Sequence, residues 1–209
     1  RRIRHLKYDR ILLAEINLLS VSFFAYYISQ SHIEISGKMI RLQLDSTFRT
    51  IAMPILHDSK YQNMKKYVAH GHYSVYDHCF RVALFAYSYA KSKGIKVDYW
   101  SLIRGSLLHD YYLYDWHHTH EGHRLHGFRH PYFALHNAKK RFTLNKKEVN
   151  MILSHMFPLT FWKLPLSKEA WILTYADKVC ANSEHASIAK IKKIKKERKN
   201  MMKRLVPCR

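Results

Sequence analysis

From Met53 onward the apolar residues recur at helical rather than alternating spacing, so the pattern predicts a succession of helices joined by short polar breaks. Between about Ser74 and Lys93, the residues Val75, Cys79, Val82, Ala83, Ala86 and Tyr89 share one side of a helix, which is the spacing of a buried stripe. Lys93-Gly94 stops it. Asp98 then supplies an N-cap for a second helix, about Tyr99 to His109. Between Tyr111 and Arg129 the 3.6-residue period disappears, and His117, His118, His120, His123 and His126 crowd among few aliphatic residues. That stretch reads as an irregular connection. Pro131 suits the first turn of the next helix, roughly Pro131 to Arg141, and Asn145 caps another running to about His155. Ser167 and Glu169 open a last long helix that carries Trp171, Tyr175 and Asp177 and extends toward the C-terminus. The expected fold class is all-α.

Composition supports this picture and adds a charge. A chain of 209 residues is long enough for one domain with a full-sized core, and six Gly and five Pro suit short connections. The expected organisation is a helical N-terminal extension over residues 1–50, a core domain over 51–189 and a basic tail over 190–209. The formal net charge of +21 surrounds the protein with a positive field that attracts phosphate-bearing partners, nucleotides or nucleic acid among them. Part of that excess is local. In the tail, Lys190, Lys192, Lys193, Lys195, Lys196, Arg198, Lys199, Lys203 and Arg204 face only Glu197, which reads as a solvated helix end more than a dedicated nucleic-acid arm.

Three cysteines, Cys79, Cys180 and Cys208, are too few and too scattered for a disulfide framework or a CxxC metal site, which points to a reducing, cytoplasmic compartment. Residues 11–28 form the one stretch that resembles a membrane anchor. It carries Glu15, Asn17, Ser20 and Ser22 and lies at the short end of a spanning length, so a membrane partner is disfavoured. The first residue is Arg, and Met39 is a candidate native start that would make residues 1–38 an extension.

The candidate chemistry centres on the doublet His109-Asp110, which closes the apolar run Ser106-Leu107-Leu108. Imidazole nitrogen and carboxylate oxygen are the ligand types that hold a catalytic divalent metal while leaving room for water. Neighbouring residues point about 100° apart on a helix, so both side chains reach one ion only near a helix end. His78 precedes the doublet, and His130-Pro131, His155 and Ala176-Asp177-Lys178 follow it, in the order H…HD…H…H…D.

That ordered set resembles the HD-domain superfamily of metal-dependent phosphohydrolases, and in particular its small stand-alone bacterial members. The similarity spans roughly Met53 to Ala189. It implies an HD-like helical bundle, one or two divalent ions (Mn, Fe, Co, Ni, Mg or Zn), and hydrolysis of a phosphate ester or anhydride. His78, His109, Asp110 and Asp177 are then the primary metal ligands, and His130 and His155 match the additional histidines of the two-metal branch. His155 is followed by Met156 where many members carry a second His, which leaves His126 and His120 as alternatives. Many members continue the doublet as His-Asp-Ile-Gly-Lys, whereas this chain reads His109-Asp110-Tyr111-Tyr112-Leu113. The usual cationic helper is missing, and His118, His120, Arg81 or Arg124 are candidates to replace it. Met156-Phe157-Pro158-Leu159 stands where a Gly-Tyr-Pro signature would be, which disfavours the branch that hydrolyses cyclic di-GMP.

The resulting expectation is a phosphohydrolase in which hydroxide held on the metal attacks phosphorus of a substrate that is a nucleotide. Asp110, Asp177, His118 and His120 carry catalysis and proton transfer. His70, Arg81, Arg124 and Lys178 bind substrate, with Arg81 three positions after His78 and so on nearly the same helix face. The alternative is a noncatalytic nucleotide- or RNA-binding protein that retains the fold and the metal site. Oligomeric state is not legible in the sequence.

Overall fold

A computed structural model of the protein describes residues 32–35, 38–41, 44–116 and 125–205. The apolar stretch at 11–28, Cys208 and five of the loop residues singled out above, His117, His118, His120, His123 and Arg124, lie outside these. The chain divides into two units, residues 1–42 and 43–209. In the first, strands β1 (His32–Ile35) and β2 (Lys38–Arg41) pair antiparallel, with His32 opposite Arg41 and Ile35 opposite Lys38. Helix was expected over this stretch; its isoleucines favour strand, and the backbone is a paired hairpin instead.

The second unit is mostly helical, as the spacing requires. Helix α1 spans Ser46–Leu56, followed by a short 3₁₀ turn over Tyr61–Lys66 and a two-stranded ribbon of β3 (Val68–His70) and β4 (Tyr73–Ser74). Then come α2 (Val75–Ser92), α3 (Tyr99–Leu108), α4 (His126–Arg141), α5 (Lys146–Ser154) and α6 (Lys168–Leu205). Helix α2 is the axis of the bundle, buried on nearly all sides and packed against α3 and α6, while α5 packs on α3, α4 and α6.

Local chemistry explains the helix starts. Ser74 Oγ accepts the Asp77 N–H while the Asp77 carboxylate accepts the Ser74 N–H, and Asn145 and Glu148 make the same reciprocal box for α5. Asp98 caps α3 through the Ser101 N–H, and Ser167 Oγ accepts from Ala170 at the start of α6. Helix α4 begins five residues before Pro131, the start expected from sequence. Its N-cap, Leu125, is left-handed at φ 64° with no side-chain cap, and Pro131 lies inside the helix, where it has no N–H to offer the Gly127 carbonyl.

One buried ion pair ties two of these elements together. Arg104 of α3 donates through Nε to Glu148 Oε1 at 2.6 Å and through Nη2 to the Thr143 carbonyl at 2.8 Å. Glu148 thus holds the start of α5 and anchors α3 at once. Among the described residues, no helix is long and apolar enough to cross a membrane.

Candidate metal centre

The C-terminus of α3 is where the site begins. Helix ends leave their last carbonyls without intrahelical partners, and here three are taken up locally. His109 Nδ1 donates to the Ser106 carbonyl at 2.8 Å, the Tyr61 hydroxyl donates to Leu107 at 2.6 Å, and Tyr111 N–H donates to Leu108 at 3.2 Å. His109 is the C-cap residue and Asp110 lies one step beyond the helix. Leaving the helix is what lets two adjacent side chains turn to the same side, which a continuing helix would forbid.

The other helices deliver their histidines in the same way. His155, C-cap of α5, donates Nδ1 to the Ile152 carbonyl at 2.8 Å, and His130, in the second turn of α4, donates Nδ1 to the His126 carbonyl at 2.9 Å. His78 of α2 donates Nδ1 to Glu184 Oε2 at 2.9 Å. A ring whose Nδ1 carries hydrogen presents a bare lone pair at Nε2. All four Nε2 lone pairs therefore point into one buried region.

That region also receives Asp110 and Asp177. His78 Nε2 is 3.1 Å from Asp177 Oδ1, and His109 Nε2 is 3.7 Å from both Asp177 Oδ1 and Asp110 Oδ2. On the other side, Asp110 Oδ1 is 3.0 Å from His130 Nε2 and 3.3 Å from His155 Nε2, and those two nitrogens are 2.8 Å from each other. All six residues named in advance as candidate ligands are brought together. Asp110 stands between two groups, His78, His109 and Asp177 on one side and His130 and His155 on the other.

Lone pairs face lone pairs at hydrogen-bonding distance, an arrangement that is repulsive unless a proton or a cation lies between them. His109 Nε2 and Asp110 Oδ1 are buried and have no hydrogen-bond partner, although their neighbours are close. His/Asp groups whose donor atoms lie within reach of a single ion include His78, His109 and Asp110, and separately Asp110, His130 and His155. Nitrogen and carboxylate donors of this kind suit Mn, Fe, Co, Ni or Zn, so the residues fit the group.

Electrostatics agree. Burial works to lower the His78 pKa, but hydrogen bonds to Asp177 and Glu184 outweigh it and lift it to about 10. Burial likewise opposes protonation of His109, and the Asp110 charge overrides it in the upward direction. Burial would raise both carboxyls, yet the charge of His109 holds Asp110 well below its usual range, and the nearby His109 and His78 rings do the same for Asp177. Two ionised carboxylates in a buried site call for positive charge. His155 is pushed down by burial, and so favours the neutral form that binds metal.

Glu184 was not singled out in the sequence. It is fully buried, and its second oxygen accepts from Arg81 Nε at 3.1 Å. It follows Asp177 by seven residues, two turns along the same face of α6, and that spacing was the available signal. Arg81, read above as a phosphate contact, is placed instead against Glu184 and over the Tyr73 ring, because a buried carboxylate on the facing helix captures its guanidinium. It acts behind the ligands.

A cavity of about 800 Å³ opens onto the cluster. Its lining includes Tyr112, Trp116, His126, Met156 and Leu159, and also His70, Lys178, Asn182 and His185. His70 and Lys178, both expected to meet substrate, are thus at the cavity. Lys178 Nζ donates to the His155 carbonyl at 3.3 Å, and burial lowers its pKa against the pull of Asp177. His126, an alternative ligand in the sequence reading, hydrogen-bonds the Tyr114 hydroxyl through Nδ1 at 2.9 Å, stacks on His130 and lines the cavity. Leu113, where a lysine stands in many relatives of this type, is half-buried.

Residues 75–182, just over half of the chain, match the HD domain family, and the chain belongs to that family. Its members are in general metal-dependent phosphohydrolases. No curated protein and no solved structure matches the chain. The family match stops two residues short of Glu184.

Proposed function

We propose that the protein is a metal-dependent hydrolase of a phosphate ester or anhydride in a nucleotide, with His78, His109, Asp110, Asp177, His130 and His155 holding two divalent ions. The observation that carries this reading is the convergence of four histidine Nε2 atoms and two carboxylates in one buried region, each ring having committed its Nδ1 hydrogen elsewhere. Such ions, when bound, would supply an activated water and offset charge on the phosphoryl oxygens.

The chain's own residues do the rest. Main-chain carbonyls and Glu184 hold the ring tautomers, so the donor atoms are in place before substrate arrives. Asp110 spans the two groups. Lys178 Nζ, at the cavity wall beside Asp177, offers an N–H to a phosphate oxygen. His118, His120 and Arg124 remain proposed partners for proton transfer and phosphate binding. The cavity volume lies within the roughly 300–1,000 Å³ of small-molecule sites, and the rings of Tyr112 and Trp116 give a base a surface to lie against. The hydrolase unit proposed is residues 51–189, flanked by an N-terminal extension and the basic end of α6.

The test is activity on a panel of nucleotide monoesters, diesters and anhydrides after loading with Mn, Fe, Co, Ni, Mg or Zn. Turnover that disappears in Asp110→Ala supports the reading. A purified protein with neither bound metal nor turnover under any loading overturns it. Leu113 in place of the cationic helper favours a second reading, a noncatalytic nucleotide- or RNA-binding protein. Binding that survives His109→Ala with Asp110→Ala, falls with salt and is accompanied by no turnover would select it.

A further inference from the structure

Beyond the metal cluster, one wall of the cavity is built from a single stripe of α6. Lys178, Asn182 and His185 are spaced by four and three residues, which places them on one helix face, and all three line the cavity. His70, at the end of β3, also lines it. Its ring lies 5.2 Å from that of His78 and 4.7 Å from that of His185, centroid to centroid. The wall therefore runs from a proposed metal ligand outward through His70 to His185. Over the stripe the helix rises roughly 10 Å.

Every side chain along that wall can donate a hydrogen bond: an ammonium, an amide and two imidazoles. The negative groups close by are already engaged, Glu184 by His78 and Arg81, and Asp177 by His78. The same cavity is also lined by aromatic and apolar side chains, Tyr112, Trp116, Met156 and Leu159. One cavity thus presents three chemistries.

We propose that Asn182, His185 and His70, with Lys178 between them and the cluster, form a second anion subsite, and that the substrate is a nucleotide carrying a further phosphate remote from the one held at the metal cluster. The base rests on the aromatic wall, one phosphate reaches the cluster, and the other lies along the α6 stripe. A nucleoside bisphosphate has this arrangement, whereas a nucleoside monophosphate leaves the stripe without a ligand. The inference rests on the phosphohydrolase reading for the first phosphate. Asn182 is exposed, as is His185, so replacing them leaves the core intact.

The experiment is calorimetric titration of the metal-loaded protein with two slowly hydrolysed probes, adenosine 5′-phosphorothioate and adenosine 3′-phosphate 5′-phosphorothioate. The native protein is expected to bind the second at least about tenfold more tightly, the size of one charge-assisted contact. Asn182→Ala with His185→Ala should bring the two affinities to within about threefold while leaving the monophosphate probe unchanged. Equal affinities in the native protein, failure to bind either probe, or a preference that persists in the double variant each overturns the subsite. Turnover is read separately on the parent nucleotides. Its absence strikes the hydrolase reading while the binding preference still decides the subsite.

Discussion

His130 Nε2 and His155 Nε2 lie 2.8 Å apart, although each ring has already committed its Nδ1 hydrogen to a carbonyl of its own helix, that of His126 and that of Ile152. Two imidazole lone pairs at that separation need a positive charge between or beside them. Asp110 Oδ1, 3.0 Å from one ring and 3.3 Å from the other, completes a three-sided set of donors.

Metal content follows from this arrangement. The native protein is expected to carry two divalent ions per chain, and His155→Ala one, since His78, His109, Asp110 and Asp177 remain assembled without it. Elemental analysis after dialysis against trace metal measures both. A native protein that retains one ion or none contradicts the two-group arrangement.

Glu184 positions His78 rather than touching an ion. Glu184→Gln replaces the carboxylate acceptor at His78 Nδ1 with an amide and leaves Arg81 without its partner charge. Ion affinity should fall by about 10- to 100-fold, the usual effect of removing such a supporting partner. Competition against a chelating dye gives the affinity, and helical content by circular dichroism should stay native. Unchanged affinity in a folded variant would remove Glu184 from this role.

The pH dependence of stability in the metal-free protein carries a definite sign. His78 in the fold is raised from 6.5 to about 10, so between those values the folded chain holds a proton that the unfolded chain releases. Its contribution is complete below about pH 6.5 and is lost as pH rises through about 10. The melting temperature of chelator-treated protein should therefore fall between pH 7 and pH 10. Added Mn should flatten the curve, because the ion takes the place of the proton. A metal-free protein whose melting temperature rises over this interval would refute the assignment.

Glu148 is 1 % exposed and serves both the α5 cap and Arg104. Glu148→Ala should cost about 3–5 kcal/mol in urea unfolding, because it leaves a buried guanidinium uncompensated. Glu148→Gln, which keeps an acceptor for the cap, should cost less. A loss under about 1 kcal/mol for the alanine variant would show the pair to be solvated.

Much of this protein is encoded over short distances along the chain. The boxes at Ser74–Asp77 and Asn145–Glu148 and the cap at Asp98 belong to residues three apart, whose geometry one turn of helix dictates, and so they were readable in advance. The order of His78, His109-Asp110, His130, His155 and Asp177 was readable for a related reason: each stands at or near a helix end or on a periodic face. Tertiary packing decided what a one-dimensional pattern cannot carry. A guanidinium such as that of Arg81 pairs as well with a phosphate as with a carboxylate, and only the packing of α2 against α6 brings Glu184, 103 residues away, within 3.1 Å. The start of α4 before Pro131 and the α6 wall of Lys178, Asn182 and His185 were settled in the same way. A helix face has a period in sequence, but which cavity it faces depends on where every other helix lies.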